Sequence, residues 1–227
     1  MKLKALKAAF PYTIPILTGY AFLGMALGIY MNAAGFSFIY PLMTSTIVYG
    51  GSLEFVVVEM LLSPFAPVSV FVMALLVQAR HLFYGLSMLD KFKGVGLKKY
   101  YLIYAMSDET FSLNCGIEAP KGVDKGWFMF FITFLDQMYW VIATVTGCLL
   151  GSLLNINTEG ISFVMTAMFV VIFLDRWLKD KNHISAIVGI AVSLICLIIF
   201  GSSSFMIPTM ISIIVILYIL RKAKVLL

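Results

Sequence analysis

Charge is scarce in this 227-residue chain: Asp, Glu, Lys and Arg make up 12% of it, where soluble domains carry about 25%. Apolar residues reach 62% and the mean hydropathy is +1.02, more apolar surface than a water-soluble core of this length can hide. No long polar segment exists, so a separate soluble domain is excluded. Only two histidines are present, and HExxH, the GxSxG nucleophile elbow and the GxxxxGK[ST] phosphate loop are all missing. Cys115, Cys148 and Cys196 are isolated in apolar surroundings, with no CxxC or Cys/His set, and read as buried free thiols. These absences argue against a metal centre, a cofactor or an ATPase in the chain. They also disfavour an enzyme, the remaining version of which is a membrane-embedded hydrolase or acyltransferase built on His81. The formal net charge of +5 sits on Lys and Arg flanking apolar segments, not on an aromatic-laced nucleic-acid patch.

What is present is a series of long apolar runs. Residues 14–31, 68–89, 127–150, 161–174, 184–200 and 205–220 are near or above the roughly 17–25 residues that span a bilayer. They are far longer than the strands of a membrane barrel, so an all-α polytopic membrane protein is expected. The basic start Met1-Lys2-Leu3-Lys4 opens the first span rather than a cleaved leader, because further spans follow.

Basic residues set the expected topology. Apart from Arg80 they fall in five clusters, at 2–7, 91–99, 121–125, 176–181 and 221–224, and the connections 32–37, 63–67, 155–160 and 201–204 contain none. If 38–62 and 100–117 also cross, the positive-inside rule is met by eleven basic residues and violated by four. If those two segments dip in and return on the same side, all fifteen become cytoplasmic. The expectation is therefore six crossings, two broken or re-entrant segments and both termini inside. Gly50-Gly51-Ser52 interrupts the first re-entrant segment and Ser107-Asp108-Glu109-Thr110 the second. Broken helices at membrane depth require protein or a watery cavity to satisfy the freed backbone. A faint internal repeat, Gly35-Phe36-Ser37-Phe38 and Gly160-Ile161-Ser162-Phe163, suggests halves 1–125 and 126–227 within a single transporter domain, 1–227.

Charges inside apolar runs mark the candidate site, since each costs on the order of a few kcal/mol at the bilayer centre and normally lines a cavity or finds a partner. At Tyr49-Gly50-Gly51-Ser52-Leu53-Glu54-Phe55 the glycines allow a break, Ser52 could cap the half-helix beginning there, and its N-terminus suits a carboxylate. Glu54 in the first turn could hold an ammonium group or a proton. The alternative is a glycine packing contact with Glu54 paired to Arg80. In Gln78-Ala79-Arg80-His81-Leu82-Phe83-Tyr84-Gly85, Arg80 and Tyr84 share a helical face. Arg80 could bind a substrate carboxylate and His81 could titrate; otherwise Arg80 snorkels to the cytoplasmic end and His81 is structural. Asp108 and Glu109 could bind a cation, proton or amino group, or could merely cap a helix near water. Asp136-Gln137 is a further buried polar pair. Glu59 lies on a different face from Glu54.

In these segments the chain resembles the AzlC-type branched-chain amino acid exporter (permease) family. The likeness runs through the opening span 11–28, the glycine break at 50–55, Ala79-Arg80-His81-Leu82-Phe83-Tyr84-Gly85-Leu86-Ser87, Ser107-Asp108-Glu109-Thr110-Phe111 and the segment 160–177. The resemblance implies a bacterial inner-membrane exporter of valine, leucine, isoleucine and sometimes methionine, acting with a small AzlD-type membrane subunit. Two departures stand out: Glu54 occupies a position where the family commonly has Gln, and Gln78 one where Asn is more usual.

The expectation is thus a secondary transporter, outward and driven by the proton or charge gradient, with a channel or transporter for another small solute as the alternative. Gly50, Gly51, Ser52, Glu54, Phe55, Arg80 and Tyr84 are the candidate substrate-binding residues, with Phe83 as a further apolar neighbour. Glu54, His81, Asp108, Glu109 and Asp136 are the candidate proton-coupling groups. No cofactor or metal is expected.

Overall fold

The computed structural model describes residues 2–153, 182–201 and 205–222, with scattered positions between 163 and 178. Among these every regular element is helical. The chain forms two compact units, Met1–Met165 and Thr166–Leu227.

In the first unit α1 (Lys2–Ala33) and α7 (Lys125–Leu153) are long and apolar enough to cross a membrane unbroken. Between them lie α2 (Ile39–Met43), which runs into a π-helical turn (Thr44–Val48), then α3 (Ser52–Leu62), α4 (Pro67–Met88), α5 (Lys98–Tyr104) and α6 (Asp108–Gly116). α4 makes a third span if its two parts, Pro67–Leu75 and Val77–Met88, count as one across a 45° bend. The second unit contains α8 (Ile184–Phe200) and α9 (Met206–Lys222), which pack together. Much of the expected span at 161–174, most of the repeat at 160–163 and the basic residues of the cluster at 176–181 lie outside the described residues.

α1 packs lengthwise on α7 because small residues let the two backbones touch. A Cβ on Gly28 would stand 2.0 Å from the Thr144 carbonyl oxygen, and one on Gly147 would stand 2.3 Å from that of Met25. Gly24 sits against Ala143 and Thr144, and Gly151 against Asn32. Each helix thus contributes a G-x-x-x-G pair, Gly24/Gly28 and Gly147/Gly151, to one seam.

Three basic clusters meet at one end of this unit. Lys2 of α1 and Lys98 of α5 both lie over the Trp127 ring at the start of α7, with the ammonium groups 4.6 and 4.7 Å from its centre. Lys4 lies beside Gly122. Lys91 donates to the carbonyls of Asn114 and Cys115 at the end of α6, at 3.0 and 2.5 Å, meeting the negative end of that helix.

Both expected breaks are present, with altered detail. The first falls at 49–51, where Tyr49 adopts φ 42°, a left-handed conformation rare for a residue with a side chain, and Gly51 adopts φ 49°. Ser52 is the first residue of α3, not its cap: the N-cap is Gly51 and the Ser52 hydroxyl is engaged by Arg80. The second break falls at 105–107, slightly earlier than the polar run suggests, because Ser107 caps α6 by accepting from the Thr110 backbone N–H at 3.1 Å. The cysteines are unpaired, but Cys115 is exposed, contrary to the expectation of three buried thiols.

Candidate functional site

The two breaks bring the starts of α3 and α6 to one guanidinium. Arg80 Nη1 lies 2.6 Å from Asp108 Oδ2, and Nη2 donates to Ser52 Oγ at 2.9 Å. Arg80 is half-buried, and its Nε has no hydrogen-bond partner among the described residues; the same holds for Asp108 Oδ1. An always-charged group in an apolar helix needs such a partner, and Asp108 supplies it rather than Glu54. A negative group at a helix N-terminus is also favourably placed against the free N–H groups there.

Glu54 is fully buried in the first turn of α3 and accepts from the Trp140 indole N–H at 2.8 Å. Its Oε2 has no hydrogen-bond partner among the described residues. Trp140 in turn meets the Tyr20 ring edge-on, 5.2 Å between centres. Gly50 lies close to α4: a Cβ there would stand 2.6 Å from Gln78 Nε2, the end of a side chain that would have to shift. The glycine break is therefore both a turn and a close contact with α4, two residues before Arg80.

The carbonyls freed at the end of the π-helical turn are taken up by side chains. The Tyr104 hydroxyl donates to the Ile47 carbonyl at 2.9 Å and also to that of Thr46. Gln137 Nε2 donates to Thr46 O at 3.3 Å while Gln137 Oε1 accepts from the Tyr101 hydroxyl at 2.6 Å. The last residues of α5 thus clamp the end of the first broken segment. This is the satisfaction of backbone groups that a break at membrane depth requires.

A second polar line runs from α1 to α7. Tyr20 OH contacts Glu109 Oε2 and Ser107 Oγ, both at 2.7 Å, and Thr110 Oγ1 donates to Asp136 Oδ2 at 2.8 Å. Asp136 and Thr110 are fully buried, whereas Glu109 is exposed.

The candidate residues divide by place. Gly50, Gly51, Ser52, Arg80 and Asp108 converge. Glu54 lies behind them against Trp140. Glu109 and Asp136 sit at opposite ends of the Tyr20 line. His81 meets Tyr84 edge-on and its Nδ1 has no hydrogen-bond partner among the described residues. Tyr84 stacks on Phe111, 4.4 Å between centres, one turn below the Arg80 contact. Phe55 is buried and stacks on Tyr30. Phe83 is turned outward and exposed, away from this cluster, and Glu59 is exposed as its offset from Glu54 predicts. Tyr20, Tyr101 and Tyr104 are the partners that sequence reasoning did not assign to the site. Their signal is weak, because polar-capable aromatic and hydroxyl residues are common near membranes.

Broken helices whose ends are held by polar side chains, between long apolar helices sealed through glycine, make this an α-helical membrane protein. A profile of the AzlC protein family matches residues 15–154, and the chain belongs to that family. It is 51% identical to the branched-chain amino acid transport protein AzlC of Bacillus subtilis, over 96% of this chain and 86% of that protein. It is 46% identical to a membrane protein of Haemophilus influenzae, over 92% and 86% of the two chains. It is 26% identical to the inner membrane protein YgaZ of Escherichia coli K12, over 75% and 72%. No solved structure matches.

Proposed function

We propose that this chain is a secondary transporter that exports valine, leucine, isoleucine or similar apolar amino acids, methionine among them, across the bacterial inner membrane. Coupling is to the proton gradient. The observation that carries this reading is Arg80, which joins the starts of two half-helices through Ser52 and Asp108. An incoming carboxylate competes with Asp108 for the guanidinium, and the N–H groups at Gly50, Gly51 and Ser52 are further donors to it. The Asp108 carboxylate, once displaced, faces the ammonium group of the same substrate. Phe55 and Tyr84 form the apolar packing behind this point. Glu54, His81, Asp108, Glu109 and Asp136 are the groups available to carry the proton.

Six crossings with both termini cytoplasmic fit the gathering of Lys2, Lys91 and Lys98 with residues 122–127 at one end, since that end then faces the cytoplasm throughout. On this reading 38–62 and 100–117 are re-entrant, and the whole of 1–227 works as one transporter domain. Labelling a cysteine placed at 63–67 from the cytoplasmic side would contradict it. The resemblance to AzlC proteins adds a small AzlD-type membrane subunit as partner.

The test is leucine efflux from preloaded vesicles containing the chain, with and without a candidate small subunit. Saturable efflux that responds to an imposed pH gradient and is lost in Arg80→Ala supports the reading. Non-saturable flux points to a channel instead, and full efflux by correctly inserted Arg80→Ala removes the site.

A further inference from the structure

Three hydroxyl groups from two elements line up between two carboxylates. Tyr20 of α1 reaches Glu109 Oε2 and Ser107 Oγ, each at 2.7 Å. Ser107 Oγ donates to Thr110 Oγ1 at 3.0 Å, and Thr110 Oγ1 donates to Asp136 Oδ2 of α7 at 2.8 Å. Glu109 at one end is exposed; Asp136 at the other is fully buried, and its second oxygen has no hydrogen-bond partner among the described residues.

The direction of the line follows from the helix cap. Ser107 Oγ accepts from the Thr110 backbone N–H at 3.1 Å and from Tyr20 OH, so its own proton is left for Thr110. Thr110 Oγ1 accepts that proton's hydrogen bond and turns its own toward Asp136. A hydroxyl can donate and accept at once and its hydrogen rotates freely, which amide and ammonium groups cannot match. The Ser107 and Thr110 links therefore point inward, toward Asp136, while the single Tyr20 proton is shared between Glu109 and Ser107.

We propose that Tyr20, Ser107 and Thr110 form a hydroxyl wire that carries the coupling proton between Glu109 and Asp136. The proposal rests on the reading of the chain as a proton-coupled transporter. When Glu109 takes a proton it donates to the Tyr20 oxygen, and Tyr20 turns from Glu109 to Ser107. The carboxyl O–H bond of Glu109 then breaks as a new O–H bond forms on Tyr20. Tyr20 passes its original proton to Ser107, Ser107 to Thr110, and Thr110 to Asp136. The net change is one proton lost by Glu109 and one gained by Asp136, with each hydroxyl regaining what it gave. Rotation of the three hydroxyls resets the line. Among the described residues, the titratable groups that act on Asp136 are Glu109 of α6, Tyr49 at the first break and Tyr101 of α5; those that act on Glu109 are Tyr20 and Tyr49. The Arg80–Asp108 pair adjoins the wire through the first turn of α6 but contributes no link to it.

Thr110→Val and Tyr20→Phe each remove one hydroxyl and little volume, while Thr110→Ser keeps the link. In vesicles containing the full chain, Thr110→Val and Tyr20→Phe should lower leucine transport driven by a pH gradient at least tenfold. They should leave leucine counterflow, which needs no net proton movement, near the wild-type rate, and Thr110→Ser should retain both. Gradient-driven transport at the wild-type rate in Thr110→Val and Tyr20→Phe overturns the wire. Loss of counterflow together with driven transport in folded variants shows a structural role and also overturns it.

A second readout does not depend on transport. The infrared carbonyl band of protonated Asp136, assigned by its loss in Asp136→Asn, should shift rapidly on transfer to heavy water and at least tenfold more slowly in Thr110→Val. Equal rates, or no such band at any pH, overturn the wire. If the wild-type chain shows no counterflow of any apolar amino acid, the proposed function fails while the infrared measurement still decides the wire.

Discussion

Arg80 Nη1 stands 2.6 Å from Asp108 Oδ2 while its other terminal nitrogen holds Ser52, so a single guanidinium fastens the first residues of α3 and α6. Lysine offers a point charge in place of this planar fork. Arg80→Lys is expected to keep the ion pair, release Ser52 and lower leucine efflux about tenfold, the equivalent of one lost hydrogen bond to a charged group. Arg80→Ala should cost more and also lower the melting temperature of the purified protein. Adding Asp108→Asn should recover part of that thermal loss, because the carboxylate no longer stands unpaired. Efflux assays and thermal melts in detergent check both parts.

Glu54 accepts from Trp140 with one oxygen, and its other oxygen has no hydrogen-bond partner among the described residues. Glu54→Gln preserves an oxygen acceptor for the indole, so insertion and melting temperature are expected to hold. The Trp140 emission is expected to respond to pH in the wild-type chain and to become insensitive in this variant. A pH response that survives Glu54→Gln would assign it to another group near Trp140.

The α1–α7 seam predicts an asymmetric glycine series. A Cβ at Gly28 or Gly147 would collide with backbone, which cannot retreat without parting the helices, whereas nothing lies within 4 Å of a Cβ at Gly19. Gly28→Ala and Gly147→Ala are expected to destabilise by about 1–3 kcal/mol, as overpacking does. Gly19→Ala should be neutral. Thermal melts of the three variants measure the contrast.

Tyr104 serves the carbonyls of Thr46 and Ile47 just before the first break. Tyr104→Phe removes that donor and should cost about 1–3 kcal/mol if the carbonyls stay dry. Amide hydrogen exchange is expected to quicken over 44–53 and to remain unchanged in α7. Uniform exchange across the chain would mean that the clamp does not hold this segment.

Much of the scaffold is legible in the sequence. Low charge and long apolar runs dictate membrane helices, because only internally hydrogen-bonded backbone is tolerated in lipid. Gly50-Gly51 and Ser107 mark the breaks, since glycine permits positive φ and a serine hydroxyl can replace a lost backbone partner. The clustering of lysines anticipates the common basic end at which Lys2 and Lys98 share Trp127. The G-x-x-x-G spacings are also readable as close helix contacts, but not which helix each one meets.

The pairing of the buried charges is decided by tertiary structure alone. Arg80 could take Glu54 or Asp108 on sequence grounds, and folding gives it Asp108 because α3 and α6 start at the same place while Glu54 turns toward Trp140. Ser52 reads as a helix cap, yet the guanidinium is the stronger competitor for its oxygen, being a charged donor. Tyr20 and Asp136 carry no local pattern that joins them. Linear order specifies that helices form and where they break, through properties each residue carries with it. Which polar groups meet depends on how α1, α6 and α7 approach one another, a relation between distant segments that no window of the sequence contains.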